Sequence, residues 1–257
     1  MNLVCNPDLA LHLNSPSQKA RIISESWFAR EGYCLNCSSN QLSATTPGTV
    51  ARDFVCPRCG FPYELKSSAK AHVRIVNDGG YDAMMRRIHA AETPALMLLH
   101  RSTDWHVQRL VAIHPVFITP EVVRPRKTPH TRPRTGQKYL MCDLDLTRIP
   151  SDGKIILVED ASSRSPAVVR KLFHESMRFL DIPIEKRGWS ALVLAVLRRI
   201  GNADITLQQV YAYEPLIRAA YPNNRHVREK IRQQLQVLRD LGYIEFVSKR
   251  GEYRVLR

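Results

Sequence analysis

Two C-x-x-C pairs, Cys34/Cys37 and Cys56/Cys59, stand with eighteen residues between them. The second is embedded in DFVCPRCGFPYELK, residues 53–66. The spacing is that of a four-cysteine zinc ribbon, in which each pair closes a tight knuckle and four thiolates surround one Zn²⁺ tetrahedrally. Pro57 and Gly60 suit such a knuckle. Unrelated thiols or two disulfides are the other reading, and a reducing cytoplasm disfavours the disulfides. Four thiolates leave no open position for a substrate, so the zinc is expected to be structural. Cys5 and Cys142 are left over and read as structural.

The same stretch carries Asp53, Glu64 and Lys66. Residues i and i+2 of a strand share a face, so Glu64 and Lys66 can point into one pocket, with Asp53 arriving from a neighbouring strand. Two carboxylates are hard oxygen ligands suited to Mg²⁺, and a held metal activates water and offsets charge on a phosphate. The second knuckle lies between Asp53 and Glu64, so the zinc is expected to pin the loop joining these strands. The triplet alone also fits a solvated strand edge.

The partner is suggested by charge. The chain has 257 residues, enough for two compact domains, and a formal net charge of +14. That excess calls for a polyanion, most often nucleic acid. A membrane surface is the rival, but the longest apolar run, 191–197, is far short of a span. The first residues, MNLVCNPDLALHLN, lack the basic start and apolar centre of a signal peptide. A cytoplasmic protein is expected.

Residues 15–31 read as a helix capped by Ser15 or Ser17, with Ala20, Ile23, Trp27 and Ile22 forming its apolar stripe. Residues 81–91 read as a second helix with Met84, Met85 and Ile88 inward, and 95–99, 105–113 and 154–159 as strands. Strands alternating with helices imply an α/β layer. Residues 124–138 hold six Arg or Lys, three Pro and no acid. They are read as a solvated basic loop or as a phosphate-contacting arm, with Arg126, Lys127, Arg132 and Arg134 as candidate DNA contacts and Tyr139 beside them.

A boundary is expected in the Pro- and Gly-bearing stretch 181–188, giving domains 1–183 and 184–257, with the ribbon at about 33–63. In the second, 189–200 reads as a helix and Thr206 to Gln209 as a capping box. Val227, Ile231, Leu235, Leu238 and Leu241 line one face of a helix over 225–241 that Gly242 ends. Arg225, Arg228, Arg232, Gln233 and Gln236 lie on its other side. A hairpin with a basic tip at Lys249 and Arg250 follows. Helices, a basic helix and a basic hairpin make a winged helix, whose last helix enters the major groove of double-stranded DNA. Arg and Gln suit guanine and adenine edges.

Four strings, SQKARIISESW (17–27), DFVCPRCGFPYELKS (53–67), NDGGYDAMMRR (77–87) and EKIRQQLQVLRD (229–240), occur in an order that resembles the DpnI family of methyl-directed restriction endonucleases along nearly the whole chain. The resemblance implies a PD-(D/E)xK nuclease core with an inserted zinc ribbon, followed by a winged helix. It implies Mg-dependent cleavage of both DNA strands at GATC bearing 6-methyladenine. The family's catalytic Asp, Glu and Lys fall on Asp53, Glu64 and Lys66. Asp53 and Glu64 are expected to hold Mg²⁺, and Lys66 to orient or help deprotonate the attacking water, with Gln18 and Glu25 framing the site. The family's aromatic methyl reader falls near Tyr139, where the family has Trp and this sequence carries one extra residue. Arg52 precedes Asp53 in place of Pro. Two other readings stand beside this one: a non-catalytic zinc-ribbon and winged-helix regulator, and a repair nuclease of the same fold.

Overall fold

The computed structural model describes residues 1–46, 52–70, 74–247 and 251–256. In chain order the main elements are α1 (Pro16–Glu31), β1 (Ser43–Ala44), β2 (Phe54–Val55), β3 (Pro62–Ser68), β4 (Ile75–Gly80), α2 (Tyr81–His89), β5 (Ala95–Arg101), β6 (Val107–Ile113), β7 (Val123–Thr131) and β8 (Lys138–Asp145). There follow β9 (Lys154–Glu159), β10 (Ser162–Ser163), α3 (Pro166–Glu175), α4 (Ile184–Ile200), β11 (Asp204–Thr206), α5 (Leu207–Tyr211), α6 (Glu214–Ala220), α7 (Val227–Asp240), β12 (Ile244–Phe246) and β13 (Glu252–Val255). Short 3₁₀ turns link several of them. The chain forms two compact units, one of Met1–Arg74, Asp82–Ile118 and Asp152–Met177, the other of Ile75–Tyr81, Thr119–Ser151 and Arg178–Arg257.

The first unit is a mixed α/β body around a seven-stranded sheet, ordered β1-β2-β3-β5-β6-β9-β10. β3 and β5 run parallel, from Tyr63 opposite Ala95 to Ser68 opposite His100. Parallel neighbours need a crossover, and α2 lies in that connection. β5 reads as a continuous apolar run because both its faces are covered: Ala95, Leu96, Met97 and Leu99 are all buried. α1 contributes Ile23, Trp27 and Phe28 to the core, where Phe28 meets Phe54 edge-on at 5.0 Å. Its buried stripe is rotated from the expected one. Ile22 is exposed, and Ser24 is buried in its place because its hydroxyl donates to Ser67 Oγ on β3 at 2.7 Å.

In the second unit, three antiparallel strands in the order β4-β8-β7 form one sheet. The basic stretch expected as a loop or arm is thus a strand pair: Arg124 lies opposite Asp143, and His130 opposite Tyr139. Pro125 and Pro129 obscured it, yet β7 is an edge strand, where a residue without an N–H removes no ladder bond. A bulge falls between these two prolines. The connecting turn, 132–137, closes with Arg132 N donating to Gln137 O at 3.0 Å, and Gly136 takes φ +66° there.

The remainder of that unit is the winged helix. α4 begins at Ile184, so most of the segment expected as a linker forms its first turns. Gly188 leaves room inside this helix for the Glu121 carboxylate, which an added Cβ would displace. α7 buries Val227, Ile231, Leu235 and Leu238, as its periodicity demands, and Gly242 at φ +74° follows it. Gln234, 2 % exposed, is buried among them because its Oε1 accepts a 2.7 Å bond from Ser190 of α4. The capping box forms, with Gln209 N donating to Thr206 Oγ1 at 3.2 Å and Thr206 N to Gln209 Oε1 at 2.8 Å. β12 and β13 make the hairpin, and β11 completes a sheet ordered β11-β13-β12. No helix among the described residues is long and apolar enough to cross a membrane.

The α7 packing gives a stability prediction. Ile231 is fully buried, so Ile231→Ala should destabilise the fold by about 2–5 kcal/mol through lost burial and the cavity left behind. Chemical denaturation followed by circular dichroism measures it; a loss under about 1 kcal/mol would contradict the packing described.

Candidate active site and metal centre

The four cysteines converge. Their Sγ atoms all lie within 4.8 Å of one another. Cys34 and Cys59 approach to 3.6 Å, as do Cys37 and Cys56. A tetrahedron with Zn–S bonds of about 2.3 Å has edges of roughly 3.8 Å, so the cluster has the size and donor chemistry for zinc. Gly60 at φ +72° turns the second knuckle, donating its N–H to Cys56 O at 2.9 Å. Burial pushes the Cys56 thiol up, but hydrogen bonds from the backbone N–H groups of Cys59 and Arg58, together with those from the Cys34 and Cys37 thiols, bring it down to about 6. These bonds favour the thiolate, the form a metal binds.

Residues outside the cysteine pattern fix this cluster. Tyr63 is fully buried on β3; its hydroxyl donates to Cys34 Sγ at 3.2 Å and accepts from Leu35 N at 2.8 Å. Arg170 of α3 donates to Cys34 O, Ser39 O and Asn40 Oδ1 at 2.9, 2.8 and 2.9 Å. His174 Nε2, one turn on, donates to Asn36 O at 3.0 Å. Sequence reasoning missed Tyr63, Arg170 and His174. Tyr63 adjoins Glu64 and so carried a local signal, whereas α3 lies more than a hundred residues from the knuckles it supports.

The acid–acid–lysine triplet is also brought together. β2 pairs with β3 only at Phe54 opposite Tyr63 and Val55 opposite Pro62. Asp53 continues the pairing with its N–H on Tyr63 O at 3.0 Å. The Asp53 carboxylate extends this attachment: Oδ2 accepts the Leu65 N–H at 2.8 Å. Asp53 is thereby fastened to β3 between Glu64 and Lys66. Glu64 is only 7 % exposed, and Lys66 Nζ sits 2.6 Å from its Oε1. Both carboxylates present hard oxygen donors of the kind Mg²⁺ takes. From α1, Arg21 pairs with Glu25 at 2.6 Å and also feels the Asp53 charge, which with Glu25 holds its guanidinium above the usual range. Glu25 is half-buried on this helix, and Gln18 is exposed on it.

The candidate DNA-contacting residues divide by their partners. On the β7–β8 ribbon, Arg126 is clasped to Asp143 at 2.7 Å. Arg124 pairs with Asp145, whose other partner Arg148 lies at 3.3 Å. Lys127 and Arg134 are exposed. Arg132 lies over the half-buried Tyr139 ring at 5.5 Å, and His130 faces the same ring at 5.6 Å. Along α7, Arg225, Gln233 and Gln236 are exposed. Arg228 and Arg232 are instead engaged by α5 and α6: Arg228 pairs with Glu214 at 2.7 Å, and Arg232 donates to Tyr211 Oη at 2.8 Å. Lys249 and Arg250 lie outside the described residues.

The Tyr63 hydroxyl yields a direct test. Tyr63→Phe keeps the packed ring and removes the hydrogen bond to Cys34, so zinc affinity should fall about 10–100-fold, as for other outer-shell partners. Competition with a chelating dye measures it. Unchanged affinity would show that the hydroxyl does not tune the cluster.

Two family models cover the chain. The DpnI model, described as the Dam-replacing family, matches residues 1–181, and the DpnI_C model, the Dam-replacing HTH domain, matches residues 185–255. The first alone spans well over half the sequence, over the residues that hold both the cysteine cluster and the acid–acid–lysine triplet. The chain therefore belongs to the DpnI, Dam-replacing family, as a nuclease carrying a DNA-binding helix-turn-helix domain.

Proposed function

We propose that the protein is a type II, site-specific endonuclease that hydrolyses both strands of double-stranded DNA at adenine-methylated GATC with Mg²⁺. The observation that supports this most strongly is the joining of Asp53, Glu64 and Lys66 on adjacent strands, with Asp53 bonded to the β3 backbone between the other two. In this reading residues 1–183 form the catalytic domain, whose β7–β8 ribbon also contacts DNA, and 184–257 form the winged-helix DNA-binding domain, without an obligate protein partner, in the cytoplasm. Zinc serves the fold, and catalysis belongs to the triplet.

Asp53 and Glu64 would hold the Mg²⁺, which supplies a polarised phosphate and a more acidic bound water. The Leu65 N–H orients the Asp53 carboxylate, leaving its other oxygen for the metal. Glu64 is held nearly out of water, where its charge acts through a lower dielectric. Lys66 starts 2.6 Å from Glu64. From there its ammonium can orient a water for in-line attack, favour that water's loss of a proton through its positive charge, and offset the charge that develops on the phosphate. Hydrolysis needs no covalent enzyme intermediate.

Recognition would fall to the ribbon and the winged helix. A two-stranded ribbon fits a DNA groove as a helix does. Tyr139, flanked by His130 and Arg132, stands where the family has Trp and is the proposed methyl reader. Lys127, Arg134 and Arg225 would contact phosphates, while Gln233 and Gln236 are suited to adenine edges.

The test is digestion of one plasmid prepared from adenine-methylating and non-methylating hosts, with and without Mg²⁺, followed by end sequencing. Only the methylated plasmid should be cut, at GATC. Asp53→Ala and Lys66→Ala should each lower cleavage at least about 10²-fold, the scale for losing one preorganised electrostatic group, with DNA binding retained. Equal cutting of both plasmids would favour a repair nuclease of this fold, and no Mg-dependent cutting would favour a regulator. Full activity of folded Asp53→Ala would remove the catalytic assignment.

A further inference from the structure

The two arginines at the start of α7 are gripped by side chains from the preceding helices. Glu214, the first residue of α6, pairs with Arg228 at 2.7 Å and with Arg218 at 2.6 Å. Its carboxyl is held below the usual range by hydrogen bonds, first from Arg218 and then from Arg228. Tyr211, the last residue of α5, lies beneath the Arg228 guanidinium at 4.9 Å from ring centroid to Cζ. Its hydroxyl accepts from Arg232 Nη1 at 2.8 Å, and Arg232 also reaches Glu229 at 3.4 Å. Arg228 is thus bounded by an aromatic face and a carboxylate, while Arg232 is tied to the same tyrosine. One turn of helix separates them, so both project from one face of α7. Each remains about half exposed despite these contacts.

A cation meant only to attract phosphate gains nothing from a paired carboxylate, which cancels its charge and weakens long-range attraction to DNA. Two cations meant to meet base edges gain from being fixed, because less side-chain freedom is lost on binding and misaligned sequences are penalised. We infer that Glu214 and Tyr211 are positioning residues that set sequence discrimination, holding Arg228 and Arg232 as a pre-aligned pair and suppressing binding to other DNA. This rests on the DNA-reading role proposed above for α7.

The inference gives opposite signs for two readouts of one substitution. Glu214→Gln keeps the shape but frees two arginines, so binding to a duplex lacking the site should tighten, and its dependence on salt should steepen by roughly one to two counterions. The ratio of affinities for a duplex with one adenine-methylated GATC over a scrambled duplex should fall about tenfold, the scale of one good base contact. Glu214→Asp, which restores the charge, should recover the shallower salt dependence. Tyr211→Phe keeps the ring under Arg228 and removes only the bond to Arg232; the ratio should fall with no change in salt dependence.

These affinities are measured on the full chain without added Mg²⁺, by fluorescence anisotropy over a range of salt, with melting temperatures alongside. A ratio undiminished in Glu214→Gln, from a wild type that does discriminate, overturns the positioning role. So does a parallel loss of both affinities with a lowered melting temperature, which would make Glu214 a fold-supporting residue. A wild type that binds both duplexes alike instead sinks the site-reading proposal on which this one stands.

Discussion

The Tyr63 hydroxyl joins the two centres of the first unit. It donates to Cys34 Sγ and accepts from Leu35 N, while the same residue's carbonyl receives Asp53 N and its neighbour is Glu64. The cysteine knuckle and the two carboxylates are therefore attached to one short piece of β3. A hydroxyl buried this completely is costly unless both its roles are filled, and here both are. Distortion of the knuckle would be passed to the carboxylates through a single residue, which is how a structural metal acts on a site it does not touch.

Support for this arrangement comes from the ends of the sequence segment and beyond. Ser24 ties α1 to Ser67, next to Lys66, and Arg170 with His174 ties α3 to the first knuckle. The Ser24 and Arg170 bonds join buried or half-buried groups and are expensive to leave unmade, while the His174 bond lies at the surface. Together they fix the strand that carries Glu64 and Lys66 from both sides of the cysteine cluster.

In the second unit a chain of +14 net charge nonetheless spends many of its arginines on local acids. Arg124 and Arg126 are paired across the ribbon, and Arg228 and Arg218 share Glu214. Paired exposed arginines contribute little to stability. Their effect is on direction: each pairing orients its guanidinium, while Lys127, Arg134 and Arg225 stay exposed; in the proposed function these three would supply diffuse attraction to DNA.

Much was legible in the residues themselves wherever the physics is local. The cysteine spacing follows from tetrahedral coordination, the buried side of α7 from 3.6 residues per turn, and the Thr206–Gln209 cap from one turn of backbone. Glu64 and Lys66 share a face because strand side chains alternate. What the sequence concealed is whatever needs partners distant along the chain. Pro125 and Pro129 masked a strand that is possible only because β7 lies at a sheet edge. The Pro and Gly before Trp189 carry the signal of a linker, yet these turns are helical, with the Glu121 carboxylate lying against Gly188. Ser24 replaced Ile22 in the buried stripe because Ser67 was there to bond it. The sequence alone determined the two metal-suited donor sets, the helix faces and the sign of the charge, since each depends on residues a few positions apart. Only the tertiary structure decided that Tyr63 links the cysteine cluster to the carboxylate strand and that Glu214 holds Arg228, because strand pairing and helix packing alone bring those groups within bonding distance.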